Sequence, residues 1–437
     1  MRVNILSVAP YGADIFSQGE NMYPHPTSYT LHPILRLKGI KSMKTCPKCY
    51  ASVIDTAKFC NKCGYNFQAN ENLFCTECGA KLQPDSAFCV ECGTAVQGGG
   101  VGFDFSGISS LENEANAQLN SKIEAEKFYN NATLDGTKLM KYKGNDDTVY
   151  IPDGITSIEP RAFDYTQKFK KLRLPASCSN IQGAALPAYV EQIEVDSGSV
   201  YFKMVDGVLF TYDGRELIKA TSSIRGFYSV PSNVENIHVA AFEGNNGITQ
   251  VDIPSSVRCI NAFAFLGCKG LKTARISGNW LEIGYESFFA CESLTTLELN
   301  NGVRKICENA FEGCSSLSSV VIPSTVNLIE YAAFSQCREL KTVRIFGSDL
   351  EIGRYAFMRC PNIREIELKN GVRVLREGVF SDCNYLETIE IPRTLETIEN
   401  YVFGTGWGLK TLRVPRGIDV DACYYGGGGN TKIVYID

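Results

Sequence analysis

Residues 311–326 read "FEGCSSLSSVVIPSTV", and the spacing inside this stretch decides the fold. With Phe311 as origin, Cys314 stands at +3, Leu317 at +6, Val320 at +9, Ile322 at +11 and Val326 at +15, followed by Ile329 at +18 and Ala333 at +22. Phe334 opens the same pattern 23 residues later, with Cys337, Leu340, Val343, Ile345, Ile352 and Ala356. Phe242, Phe265, Phe288, Phe357, Phe380 and Phe403 keep the same step. A fixed period of this size predicts a solenoid, because one coil cannot bury its apolar face while stacked coils can. Apolar +9 and +11 flank a mostly polar +10, which predicts a short strand with one face inward. Proline at +12 (Pro254, Pro323, Pro392, Pro415) ends that strand's ladder. The frame extends back through Leu186 and Phe163 to Ile151 and Val149, so the predicted class is a repeat protein of short parallel strands over 136–437.

The step from Leu186 to Phe242 is 56 residues, one period plus 33. The extra text centres on "SVYFKMVDGVLFTYDGRELIKA", near 197–226. Asp213-Gly214 and Asp206-Gly207, flanked by β-prone residues, are turn signals and predict a hairpin insertion. Its aromatics Tyr201, Phe202, Phe210 and Tyr212 are candidate partner contacts; the competing reading packs them on the neighbouring coil. Trp280, at a +15 position usually held by valine, and Trp407, after Phe403, are candidate anchors too, with core or cap packing as the competing reading.

Upstream, the cysteines follow another rule. Cys46-x2-Cys49 is followed ten residues on by Cys60-x2-Cys63, and Cys75-x2-Cys78 likewise by Cys89-x2-Cys92. Each pair turns two thiolates toward one point, and two pairs complete a tetrahedral metal site. Glycine follows three of the four pairs (Gly64, Gly79, Gly93), where a tight knuckle requires positive φ. Disulfides or a redox pair are the alternatives, but a redox CxxC comes singly beside a βαβ unit and disulfides need an oxidising compartment. With four sulfurs per set, no coordination position stays open for catalysis. The segment 43–96 balances five lysines against five acids, so it lacks the counterion-release term behind nucleic-acid affinity; protein docking or plain structure is expected instead.

These stretches resemble two known families. "FCNKCG", "FCTECG" and "FCVECG" make 43–96 similar to the double zinc ribbon, which implies two structural zinc ions. The Leu294-x-x-Leu297-x-Leu299 core, the "AFxxC" anchors and the "IP" after the strand make 136–437 similar to the BspA-like branch of leucine-rich repeats. That branch implies a leucine-rich-repeat solenoid and, by its usual description, a surface-exposed adhesive role. Together the expected class is an α+β repeat protein preceded by two zinc ribbons. Between them, 97–135 reads as a glycine-rich hinge followed by a polar helix whose thin apolar stripe is Leu111, Ala115, Leu119 and Ile123.

Residues 1–42 show neither periodicity nor cysteine. Lys38-Gly39, always encoded with AAGG, lies three codons before Met43. The expectation is a translated leader with a native start at Met43; a disordered arm is the other reading.

A net charge of −5 leaves no footprint for nucleic acid or an anionic membrane. No run has the length of a membrane span, and the N-terminus has no secretory signal pattern. The expected location is therefore the cytoplasm, with the cell surface by a non-standard route as alternative. Histidines number three (His25, His32, His238), and no triad, phosphate loop or HExxH is present, so no enzyme is expected. The column at +10 alternates in sign, pairing Arg173 with Glu194, Arg275 with Glu298, Arg344 with Glu367 and Glu390 with Arg413, and so neutralises itself. The ladder Cys268, Cys291, Cys314, Cys337, Cys360 and Cys383 gives way to Asn245 at one end and Gly406 at the other. Such swaps suit a small buried filler rather than a ligand or nucleophile. The expected function is a protein-interaction scaffold; a surface adhesin and a zinc-ribbon nucleic-acid regulator are the alternatives.

Overall fold

The computed structural model describes residues 43–46, 52–54, 57–60, 62–63, 77–78, 80–81, 91, 106–404, 408–420 and 431–437, with the backbone alone for 43, 52, 54 and 106–118. Residues 1–42, the hinge residues 97–105, Cys49, Cys75, Cys89, Cys92, Trp407 and the glycine run 426–429 lie outside them. The chain divides into two units, Met1–Phe105 and Ser106–Asp437.

In the second unit each 23-residue coil makes two strands. The first is the predicted one, as in Ser319–Ile322, which pairs in parallel with Thr342–Ile345. The second comes from the V-x-x-I pair, as in Leu328–Ile329, parallel to Leu350–Ile352. Eight of these second strands, from Asn236–Ile237 to Thr397–Ile398, join three strands that begin at Phe202–Val205 in one sheet of eleven. Tight turns around the anchor phenylalanines close each coil. The α component among the described residues is one helix, Ser106–Asn131.

The anchors stack into a continuous column. Phe242, Phe265, Phe288, Phe311, Phe334, Phe357, Phe380 and Phe403 lie ring on ring, with centroids 4.7–6.2 Å apart and planes within 21° of parallel. A fixed step along the chain puts the same side chain at the same place in every coil, so each ring meets its own copy. Burial of each contributes about 1.5–3 kcal/mol, with about 0.5–1.5 kcal/mol more from each ring pair.

In the helix, Leu119 of the predicted stripe is 57% exposed and Ile123 is exposed as well; the side chains of Leu111 and Ala115 lie outside the described residues. The helix is anchored by Phe128, fully buried and stacked on Tyr142 at 5.5 Å. The strand Ala132–Asp135 follows directly and pairs antiparallel with Lys138–Tyr142, opening the first sheet.

The 33-residue surplus forms a three-stranded meander, Phe202–Val205, Val208–Thr211 and Glu216–Ala220. Asp206 and Gly207 both take positive φ, as a two-residue hairpin turn with the right twist requires. Its last strand pairs in parallel with Asn236–Ile237 and so joins the eleven-stranded sheet. Both faces of the meander's second and third strands are buried, while Val205 on the first is exposed. Val208, Phe210 and Leu217 pack into the core of the later coils, while Phe202, Leu209 and Ile218 pack into that of the earlier ones. The insertion is therefore the joint between two stacks of coils.

Candidate functional site

Three places were expected to carry function, and the structure treats them differently. In the first unit, the strands Met43–Thr45 and Ser52–Ile54 pair antiparallel and carry Cys46 beyond their end. The sulfurs of Cys46, Cys60 and Cys63 all lie within 4.8 Å of one another, and those of Cys46 and Cys63 are 3.6 Å apart. A tetrahedral zinc with bonds of about 2.3 Å needs sulfurs about 3.8 Å apart, so this donor set fits zinc. A disulfide needs about 2.05 Å. The fourth member of this set, Cys49, lies outside the described residues. Of the second set, Cys78 is described and exposed.

At the joint, the four aromatics divide by position: Phe202 and Phe210 lie within the strands, and Tyr201 and Tyr212 just beyond their ends. Phe202 and Phe210 point inward and are buried, which corrects their reading as partner contacts: each fills one of the two cores. Tyr201 and Tyr212 point outward, and Lys203 Nζ lies 5.8 Å from the Tyr212 ring centre. Beside them is a cavity of about 570 Å³ lined by Arg173, Glu194, Asp196, Lys203 and Tyr212, among others. Arg173 bonds Asp196 at 2.7 Å and Glu194 bonds Lys171 at 2.6 Å. The expected Arg173–Glu194 pair is thus in register along the backbone, but its side chains choose other partners. The remaining pairs of the column form as predicted, Arg275–Glu298 at 3.1 Å, Arg344–Glu367 at 3.6 Å and Arg413–Glu390 at 2.9 Å.

Trp280 is the clearest departure from the core-or-cap reading. Its loop holds one residue more than the standard coil, and Leu281 takes the inward slot that valine fills elsewhere. Trp280 is displaced outward with φ +61° and is 68% exposed. The Arg304 guanidinium lies over its ring at 4.5 Å, a cation–π contact. An open cleft of about 510 Å³ begins there and runs across four coils to Ser348 and Asp349. Sequence spacing marked Trp280 as unusual; the surplus residue in its loop, visible once Leu281 is aligned with Val303, gives its direction.

One buried group escapes the sequence reading, and a second, the cysteine ladder, is legible there as buried filler without its hydrogen-bond partner. Lys219 is fully enclosed, donating from Nζ to the Ala240 carbonyl at 2.8 Å, and burial pulls its pKa down to about 8. The ladder thiols have a common acceptor: Cys268, Cys291, Cys314, Cys337, Cys360 and Cys383 each donate to the carbonyl oxygen of a phenylalanine 26 residues earlier, at 3.1–3.4 Å. Burial raises all six pKa values, which makes these thiols poor nucleophiles.

A stack of short parallel strands closed by turns around a phenylalanine column, in a chain that also brings Cys46, Cys60 and Cys63 together upstream, defines the class as a leucine-rich-repeat solenoid with zinc ribbons. Residues 121–194, 221–341 and 305–424 match the BspA type leucine rich repeat region, in six copies, and residues 46–93 match the double zinc ribbon. The chain belongs to the BspA-type leucine-rich repeat family. No curated protein matches it. Among solved structures it is similar to a leucine-rich repeat protein from Eubacterium ventriosum, with 21% identity and TM-score 0.47 over 65% of this chain and 68% of that one. It is also similar to one from Bacteroides ovatus, with 17% identity and TM-score 0.42 over 69% and 94%. A third, from T. pallidum, has 28% identity and TM-score 0.34 over 43% and 88%. Among the described residues no helix is long and apolar enough to cross a membrane.

Proposed function

We propose that this protein is a non-enzymatic protein-interaction scaffold whose repeat unit binds a protein partner at the joint. The observation that carries this reading is the meander. Its second and third strands are buried on both faces, and the segment holds Tyr201 and Tyr212 outward, Tyr212 lining a cavity with both charge signs. Tyrosine on a rigid element is a favoured contact residue, since its ring offers area and its hydroxyl a hydrogen bond at little entropic cost. The two zinc ribbons each hold one structural ion and act as a second docking module or as a stable end. The donor geometry at Cys46, Cys60 and Cys63 supports the first of these ions. Zinc-bound thiolates and six protonated core thiols suit a compartment that keeps thiols reduced, so the protein acts inside the cell.

The test is capture of partners from lysate of the native host by full-length protein and by a Tyr201→Ala, Tyr212→Ala double variant with unchanged circular dichroism. A specific partner retained by the first and lost by the second is expected. Equal capture by both would place the contact elsewhere. Fractionation that finds the protein outside the cell alone would favour the adhesin alternative.

A further inference from the structure

The loop of Trp280 has a twin in the same chain. "ISGNWLEI" at 276–283 and "IFGSDLEI" at 345–352 lie 69 residues apart, three periods, and "NGV" recurs at 301–303 and 370–372. Both loops carry the surplus residue, Trp280 at φ +61° and Asp349 at φ +56°, and both are followed by a buried leucine, Leu281 or Leu350. In both, a glycine of the next coil passes close beneath. A Cβ on Gly302 would meet the carbonyl of Gly278, and one on Gly371 that of Gly347. The bulge is therefore made by the backbone plan, and the twin makes it without an aromatic residue. The fold does not ask for tryptophan at 280.

The surroundings differ in one consistent way. Around the twin, Arg373 is clamped between Asp349 and Glu396, the latter at 2.6 Å. The matching residues around the first loop are Arg304, Trp280 and Asn327. Both carboxylates have been exchanged, one for an indole and one for an amide. Arg304 consequently has no ion pair among the described residues, and it lies exposed beside an exposed ring. The side-chain amides of Asn279, Asn301 and Asn327, all lining the cleft, make no hydrogen bond among the described residues either. The cleft thus presents an indole with the Arg304 guanidinium over one face, a positive charge without an ion pair, and three unused amides, each a paired donor and acceptor; the one carboxylate in its lining, Asp349 at the far end, is neutralised by Arg373.

We propose that this cleft binds a carboxylate-bearing pyranose, a uronic acid unit of an acidic glycan. The C–H face of a sugar ring stacks on Trp280, its carboxylate meets the Arg304 guanidinium, and its vicinal hydroxyls pair with the amides. Trp280 is the sole large apolar side chain lining the cleft, which favours a sugar over a peptide, whose apolar side chains would find no further pocket. The proposal goes beyond the protein-scaffold reading and uses a different surface from the joint.

The experiment is calorimetric titration of the full chain with oligogalacturonate, with cellotetraose and poly-glutamate as comparison ligands. Three proteins are compared: the natural chain, Arg304→Gln, and the double variant Trp280→Asp, Asn327→Glu. The double variant installs the twin's own residues, so it retains a loop this chain already folds, and an unchanged melting temperature verifies that. Saturable binding of oligogalacturonate is expected, weakened at least 10-fold in the double variant. Arg304→Gln is expected to bring the affinity for oligogalacturonate down toward that for cellotetraose. No saturable binding, or equal binding by the double variant, would overturn the site. Cellotetraose bound as tightly by the natural chain would overturn the carboxylate, and poly-glutamate bound more tightly would overturn the sugar.

Discussion

Cys314 Sγ donates to the carbonyl oxygen of Phe288 at 3.3 Å. The donor is 26 residues after its acceptor, one period plus the three residues that separate cysteine from its own anchor. The bond therefore links adjacent coils, and its repetition at six levels ties the phenylalanine column to the turn beneath it. Replacing Cys314 by alanine removes one such bond and opens a small gap, and is expected to cost about 1–2 kcal/mol. Urea unfolding under reducing conditions measures it. Cys314→Leu should cost more, since the site has no spare volume.

That position also shows what could be read in advance. The ladder's period and the small-filler role were visible because Asn245 replaces cysteine in the coil before, and the structure gives the reason. Asn245 Nδ2 donates to Thr221 O at 3.1 Å while Oδ1 accepts from Gly247 N and Ile248 N. Coil register is legible wherever a residue must match its own copy 23 positions away. The direction of Trp280 was not, since one surplus residue leaves the period intact and shifts only which neighbour points inward. The burial of Lys219 was hidden for a similar reason: alternation within the meander predicts a solvent face, but this meander has cores on both sides.

Alkaline pH should unfold the repeats through their thiols. Burial raises the folded pKa of each ladder cysteine, that of Cys291 to about 12, above the unfolded value of about 8.5. A raised folded pKa contributes stability that is complete below the unfolded value and is lost as pH rises through the window up to the folded one. Each thiol then forfeits about 1.4 kcal/mol per pH unit above about 9. The urea midpoint should fall steeply between pH 9 and 11, and Cys291→Ala should lessen that slope. A midpoint unchanged to pH 10.5 would contradict the burial.

Lys219 acts with the opposite sign. Its folded pKa is depressed to about 8 from 10.5, so between these values the unfolded chain holds the extra proton and stability rises with pH. At neutral pH the buried ammonium costs about 3 kcal/mol. Lys219→Met fills similar space without the charge, and Ala240 O keeps the Glu243 N–H as donor at 3.3 Å. A gain of about 2 kcal/mol at pH 7 is expected, shrinking toward zero by pH 10. Unfolding curves at both pH values separate this from a plain packing effect, which would not depend on pH.

Gly302→Ala tests the bulge. Its φ of +115° suits glycine alone, and the added Cβ would meet the backbone carbonyl of Gly278 rather than a side chain able to turn away. A loss above about 2 kcal/mol is expected. Gly267, at φ +65° with open space around it, is the control: its alanine variant carries the conformational cost without the collision and should lose about half as much.

Zinc provides the last prediction. If Cys46, Cys60 and Cys63 share one ion with Cys49, and the second set holds another, protein purified without chelator carries two zinc ions per chain by elemental analysis. Cys60→Ser should reduce that to one, because three thiolates bind a structural zinc far less tightly than four. Thiol titration of the native chain gives an independent count. Over the count of the untreated chain, for which Cys178, Cys259, Cys307 and Cys423 set the baseline, a chelator should add eight reactive thiols, while the six of the ladder stay silent until urea unfolds the coils. Fourteen thiols reacting together on chelation would mean that the ladder is not protected by the repeats, and none reacting would mean that the eight upstream cysteines are not held by a metal.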